Sequence, residues 1–377
     1  MQNDKRTILF LTGTRADFGK LKPLIRAIAG HPDFEYSIFV TGMHTLSRYG
    51  LTMDEVRKAG FSNIHVFMNQ IHGEPMEQIL ANTISGLSRF VHEFRPDMIV
   101  VHGDRVEALA GATVGALQNI LVAHIEGGEL SGTVDELIRH AVSKLSHLHF
   151  VSNQESADRL RQLGEKPENV FVIGSPDIDI MMSDTLPTLS DVKRYYEIPF
   201  HPFAVAILHP VTTELNLIKE QARIFTESLL KSEQNYVVIY PNNDEGCEAI
   251  FSAYEQLLIH ARFRVFPSVR FEYFLTLLKN ALYIIGNSSA GVREAPLFGV
   301  PCINIGSRQR NRHIHPCIVN VEFEQEAILK AIKTVQNQHP VDTGHKFGEG
   351  KSIEKFLSII SDSSVWNIDK QKQFCDL

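Results

Sequence analysis

Seven short segments of this chain mix small, hydroxyl-bearing and ionisable residues in the way that a polar ligand demands. They are Thr12-Gly13-Thr14-Arg15-Ala16-Asp17, Thr41-Gly42-Met43-His44, His102-Gly103-Asp104-Arg105, His124-Ile125-Glu126-Gly127-Gly128-Glu129, His209-Pro210-Val211-Thr212-Thr213, Pro241-Asn242-Asn243-Asp244 and Gly286-Asn287-Ser288-Ser289-Ala290-Gly291. The last is the best anion site: small residues let backbone N–H groups approach a phosphate, hydroxyls donate to it, and the expected helix Val292–Phe298 turns its N-terminus toward it. Arg15, Arg105 and Arg308 add guanidinium forks suited to a diphosphate. Glu294 would repel a phosphate and makes better sense as an acceptor for ribose hydroxyls. Asp104, Glu126 and Asp135 form an acidic set. Carboxylates in a partly dehydrated site can divide into proton donor and acceptor, which suits cleavage at a sugar's anomeric carbon and proton movement beside it.

Each residue also has an ordinary reading. Gly and Asp after a strand make turns or cap helices, Ser288 can be an N-cap, and Asp135 at a helix start could pair with Arg139 four residues on. Repetition at seven loops is what favours a site. The chain has 17 histidines, but His140/His147/His149 and His313/His315 lack an HExxH pattern, so no metal is expected. Neither GxGxxG nor GxxxxGK[ST] occurs, and no cofactor is expected.

The elements that must carry these loops are short apolar runs alternating with longer amphipathic ones. Ile8–Leu11, Tyr36–Val40, Ile64–Phe67, Met98–Val101, Leu121–Ile125, Leu148–Val151 and Val170–Ile173 read as buried strands, with helices such as Phe18–Ala29, Met76–Phe94, Val106–Gln118, Val134–Leu145 and Gln154–Leu163 between them. The rhythm lapses over Ser175–Pro202, which holds four prolines and reads as a connecting helix and linker. It restarts with Phe203–Leu208, Tyr236–Tyr240, Phe263–Phe266, Leu282–Ile285 and Cys302–Ile305. This predicts an α/β protein of two Rossmann-like doubly wound domains, 1–174 and 203–351, with the 175–202 linker between them and the active site in the interdomain cleft. Ligands of such sheets lie beyond the carboxyl ends of strands, where all seven loops fall.

Composition agrees. A length of 377 residues is compatible with two domains at about 150 residues each. Apolar content of 44% excludes disorder, and no apolar run reaches the roughly 20 residues of a membrane helix. The start MQNDKRTILFLTGTR is broken too early by polar residues for a signal peptide, and four scattered cysteines fit a reducing compartment, so the cytoplasm is expected. A net charge of −7 argues against nucleic acid as the main partner.

The run HIEGGELSGTVDELIRHAVSKLSHLHFVSN (His124–Asn153), with HGDR (His102–Arg105), HPVTT (His209–Thr213) and GNSSAGVREAP (Gly286–Pro296), closely resembles the hydrolysing UDP-N-acetylglucosamine (UDP-GlcNAc) 2-epimerases of bacterial sialic acid capsule synthesis. It is also similar to the epimerase half of the animal bifunctional epimerase/kinase. The resemblance runs from TGTRAD to GSRQR. It implies a glycosyltransferase-B (GT-B) type fold whose C-terminal helix, here Ser352–Ile360 within 352–377, returns to the first domain. It further implies hydrolysis of UDP-GlcNAc with inversion at C2, by anti elimination of UDP to 2-acetamidoglucal and syn addition of water. The products would be N-acetylmannosamine and UDP, and a homodimer is the usual form.

By the resemblance, Asp104, Glu126 and Asp135 match the family's acid/base carboxylates, and His209 its active-site histidine near the diphosphate. Arg15, Arg105, Asn242, Ser288, Ser289, Glu294 and Arg308 match UDP-contacting positions, with His44, His102 and His124 adjacent. Gly19 departs from the animal enzyme's serine, while the short GGELSGTVDE segment matches the hydrolysing branch. The same motifs would serve a UDP-2,4-diacetamido-6-deoxy hexose, as in legionaminic acid pathways. A glycosyltransferase of the same fold and a non-catalytic nucleotide-sugar sensor are more distant alternatives.

Overall fold

The computed structural model describes residues 5–310, 312–336 and 347–376. They form two compact units. The first takes 5–129, 135–183 and 347–376; the second takes 130–134 and 184–336. Residues 337–346 of the expected second half lie outside the described residues.

The first unit is a parallel sheet in the order β3-β2-β1-β4-β5-β6-β7. Its strands are β1 (Arg6–Thr12), β2 (Phe34–Val40), β3 (Ile64–Val66), β4 (Met98–His102), β5 (Leu121–Ile125), β6 (Leu148–Val151) and β7 (Val170–Val172). Every residue of β5 and β6 is buried, as strands covered on both faces require. The second unit repeats the plan in the order β10-β9-β8-β11-β12-β13. Here β8 is Ala204–Ile207, β9 Tyr236–Ile239, β10 Phe263–Phe266, β11 Ile284–Gly286, β12 Cys302–Ile305 and β13 Ile318–Val321. The order reverses between β1 and β4 in one sheet and between β8 and β11 in the other, and crevices for ligands open at such points.

Helix Ser352–Ile360 belongs to the first unit, where Phe356 and Ile360 enter the core and the Phe356 ring meets that of Phe150 at 5.0 Å. Its first N–H groups donate to Asp179, which holds the chain's return in place. The stretch 175–202 is largely folded rather than an open connector. Pro176 starts a helix (Pro176–Met181) that belongs to the first unit, a position where its missing N–H costs nothing. Thr188 caps a second helix (Leu189–Tyr195) that belongs to the other unit. The chain passes between units at Ser183/Asp184. Strand β13 is an addition to the sequence reading, and the expected helix Val292–Phe298 is a 3-10 turn (Ser289–Gly291) followed by one α-turn (Glu294–Leu297).

Candidate active site

In the first unit, the loop after β1 folds on itself. Asp17 accepts from the N–H groups of Gly13 and Thr14 while Thr14 caps Asp17 in return, a capping box that opens helix Arg15–Ala29. Arg15, at the first position of that helix, reaches Glu55 at 2.5 Å. His44 is buried between the hydroxyls of Thr12 (2.9 Å) and Thr52 (2.6 Å), and burial pushes its pKa down to about 4, so it is neutral here.

The strand ends of β4 and β5 adjoin, with Gly103 N–H donating to Ile125 carbonyl at 3.0 Å. Glu126 follows β5 at φ +63°, a left-handed backbone that costs a side-chain-bearing residue about 1 kcal/mol. Two residues on, a Cβ on Gly128 would lie 2.3 Å from the Ser156 carbonyl oxygen, so that position has to be glycine. The turned carboxylate is buried among Lys20 Nζ (3.1 Å), His102 Nε2 (3.1 Å) and the Ser175 hydroxyl. Lys20 also holds Asp177 at 2.9 Å, so one buried ammonium serves two carboxylates.

Asp104 sits one residue past Gly103 and receives the Arg139 guanidinium, which also donates to Glu129 carbonyl at 3.1 Å. Arg139 therefore reaches across the fold to Asp104, besides any local partner on its own helix. His124 steadies the loop from below: Nε2 lies 2.8 Å from Gly103 carbonyl and Nδ1 3.0 Å from Ser143 hydroxyl. Burial pushes its pKa down to about 3, so the ring is neutral, with Nε2–H donating and Nδ1 accepting. Asp135 lies buried in the first turn of helix Val134–Leu145. Arg105, expected near a diphosphate, has its Nε 3.9 Å from the buried Glu107.

In the second unit, Asn287 joins the two strand ends at the switch point. Its amide oxygen accepts from His209 N–H (2.7 Å) and its NH₂ donates to His209 carbonyl (2.8 Å). His209 Nδ1 accepts from Asn242 N–H at 3.0 Å, which leaves Nε2 as the donor of the neutral ring. Arg308 and Gln309 both donate to Asn287 carbonyl, at 3.3 and 3.0 Å. His209, Asn242, Ser288, Ser289 and Arg308 are thus assembled around one asparagine. Glu294 is buried one residue beyond Arg293, in the short α-turn. Gly286 has no alternative: at φ +129° a Cβ would lie 1.9 Å from Ile207 carbonyl. Segment Leu130–Val134 also belongs to this unit, with Gly132 N–H donating to Arg308 carbonyl at 3.1 Å.

Among the described residues, no group of three or more His, Cys, Asp or Glu side chains is placed to hold a metal ion, and no helix is long and apolar enough to cross a membrane. Sequence reasoning missed Lys20, Ser175 and Asp177. Lys20 alone carried a signal, as a charge four residues before Leu24 on the apolar stripe of its helix.

The profile of the family described as UDP-N-acetylglucosamine 2-epimerase matches residues 26–361. This chain belongs to that family. A UDP-N-acetylglucosamine 2-epimerase of Neisseria meningitidis serogroup B is 49% identical over 99% of both chains. The UDP-N,N'-diacetylbacillosamine 2-epimerase (hydrolyzing) of Legionella pneumophila is 33% identical, covering 94% of this chain and 95% of its own. An Escherichia coli polysialic acid biosynthesis protein, P7, is 31% identical over 95% and 89%. Among solved structures, the Methanocaldococcus jannaschii UDP-GlcNAc 2-epimerase in complex with UDP-GlcNAc and UDP superposes with a TM-score of 0.79 at 21% identity, over 94% of this chain and 99% of that one. The two parallel-sheet units are those of GT-B-like epimerase structures.

Proposed function

We propose that this epimerase is the hydrolysing kind, converting UDP-GlcNAc and water to N-acetylmannosamine and UDP as the first step of sialic acid and capsule synthesis. The observation that carries the reading is the first unit's set of carboxylates at neighbouring strand ends. Asp104 is held by Arg139 and Glu126 by Lys20, His102 and Ser175, while Asp135 lies in the adjoining helix. The C2 proton of the sugar has no carbonyl beside it, so its removal needs C1–O cleavage to run ahead and leave oxocarbenium character, which these anions stabilise. One carboxylate takes the C2 proton as UDP departs, giving 2-acetamidoglucal. Water then adds at C1, losing a proton to a carboxylate, and C2 is reprotonated on its other face. Arg15, Arg105, His209, Asn242, Ser288, Ser289 and Arg308 take the UDP, with Glu294 on its ribose.

Two relatives whose names specify a hydrolysing enzyme, from Legionella pneumophila and Campylobacter jejuni, are 33% and 32% identical, and this likeness supports release of free sugar. The Legionella name also supports a second reading, the same reaction on a UDP-2,4-diacetamido-6-deoxy hexose. Turnover of the two purified UDP-sugars side by side separates them. We place the enzyme in the cytoplasm as a homodimer; light scattering of the purified protein checks the dimer.

In deuterated water the product N-acetylmannosamine is expected to carry deuterium at C2; product without it would overturn the elimination. Asp104→Asn, Glu126→Gln and Asp135→Asn should each lower kcat at least about 10²-fold. A near-normal rate removes that residue from the mechanism.

A further inference from the structure

Helix Val134–Leu145 carries three attachments of the candidate site: Asp135 in its first turn, Arg139 bonded to Asp104, and Ser143 bonded to His124, which holds the Gly103 carbonyl. Its far end is closed by a residue more than two hundred positions away. Lys372 Nζ donates to the carbonyls of Ser143 (3.1 Å), Lys144 (2.8 Å) and Ser146 (2.6 Å) and pairs with the buried Glu165. Those carbonyls lie at the helix C-terminus, where acceptors outnumber intrahelical donors, and a cation there also matches the negative end of the helix dipole.

Neighbouring contacts hold the tail in register. His147 accepts Val122 N–H at Nδ1, and its Nε2–H donates to Lys370 carbonyl at 3.1 Å. Phe374 lies against Gly164, where a Cβ would come within 2.4 Å of the ring, and Lys144 Nζ sits 4.6 Å from the ring centroid. Cys375 N–H donates to Gly164 carbonyl at 3.0 Å. Glu165 is shared: besides Lys372 it binds His149 Nε2 (3.0 Å) and Lys144 Nζ (3.1 Å).

We infer that Lys372 is a positioning residue for the reaction, a C-terminal latch that fixes the axial placement of helix Val134–Leu145 and through it Asp104 and Asp135. The inference rests on the proposed role of those carboxylates. A helix free to slide by a fraction of a residue would move both by distances to which proton transfer is sensitive, while the Asn287–His209 frame of the second unit keeps its own bonds. The latch therefore acts chiefly on kcat.

In the full-length enzyme, Lys372→Met is expected to lower kcat about tenfold with KM for UDP-GlcNAc within about twofold of wild type. Lys372→Arg, which can still reach the carbonyls, should recover most of the rate. Hydrogen exchange of the amides of residues 139–145 should accelerate in Lys372→Met and not in Lys372→Arg. An unchanged kcat in Lys372→Met overturns the latch, as does a fall in rate that Lys372→Arg fails to relieve. If Lys372→Met does not fold, Phe374→Ala loosens the same tail without removing the cation and should lower kcat about threefold at constant KM; full activity there is equally fatal. Absence of UDP release from UDP-GlcNAc by the unaltered enzyme would instead sink the functional reading, a separate outcome.

Discussion

In the first unit the polar strand ends are held by charge: Lys20 between Glu126 and Asp177, Arg139 on Asp104, Arg15 on Glu55. In the second the hub is a neutral amide: Asn287 is bonded twice to His209, Asn242 N–H donates to the His209 ring, and the Arg308 and Gln309 side chains donate to Asn287 carbonyl. The difference follows from what each has to do under the proposed chemistry. Groups that exchange protons need fixed counter-charges beside them, whereas a site for a diphosphate needs its donors fixed in place, which a neutral amide hub does without adding an anion at the hub.

The sharpest way to break that contrast is Lys20→Met. Removing one member of a buried ion pair costs about 3–5 kcal/mol because the carboxylates stay buried without it. A large fall in the denaturation free energy is expected, together with loss of activity. A change below about 1 kcal/mol would mean that Lys20 is not what holds Glu126 and Asp177.

Asn287→Asp tests the other half. The substituted carboxylate keeps an acceptor for His209 N–H but faces His209 carbonyl with no donor, at a residue only 1% exposed. The expected loss is about 2–3 kcal/mol, with UDP affinity reduced. Calorimetric titration with UDP checks it. Tighter binding would show that the frame tolerates charge and that the contrast is misdrawn.

These two positions also mark how far the sequence could be read. The strands were legible because runs such as Met98–Val101 are apolar throughout and bounded by polar turns. Strand β13 was not, since Ile318–Val321 is a half-buried edge strand following the polar RNRHIHPC stretch. The loops were legible by their residue types, but the local i,i+4 rule offered Asp135 as the partner of Arg139, whereas the structure also pairs it with Asp104, 35 residues away. Lys20 meets Glu126 across 106 residues, and nothing in either neighbourhood encodes the pairing. The helix after Gly286–Gly291 was overestimated because apolar periodicity continues through Pro296, where no N–H remains to extend it.

The last expected effect is the dependence of the first unit on pH. His44 and His124 are fully buried there, and burial pushes their pKa values down to about 4 and about 3; the pKa of the fully buried His149 is lowered as well, again chiefly by burial. In the unfolded chain each returns to about 6.5, so below that pH the unfolded state binds protons that the folded state refuses. Stability is therefore intact above pH 6.5 and falls as the pH drops toward the folded values, by about 2 kcal/mol for each of His44 and His124 at pH 5. Native-state hydrogen exchange, corrected for intrinsic rates, should show the loss between pH 8 and pH 5 in the core amides of β1, β4 and β5 more than in those of β8, β9 and β11. Replacing His124 with Gln removes one such proton uptake and should flatten the fall by about 2 kcal/mol, even if the variant starts from lower stability. An unflattened slope would mean that His124 is charged or exposed in the folded enzyme, and the Gly103 loop would then have to be held by something other than a neutral imidazole.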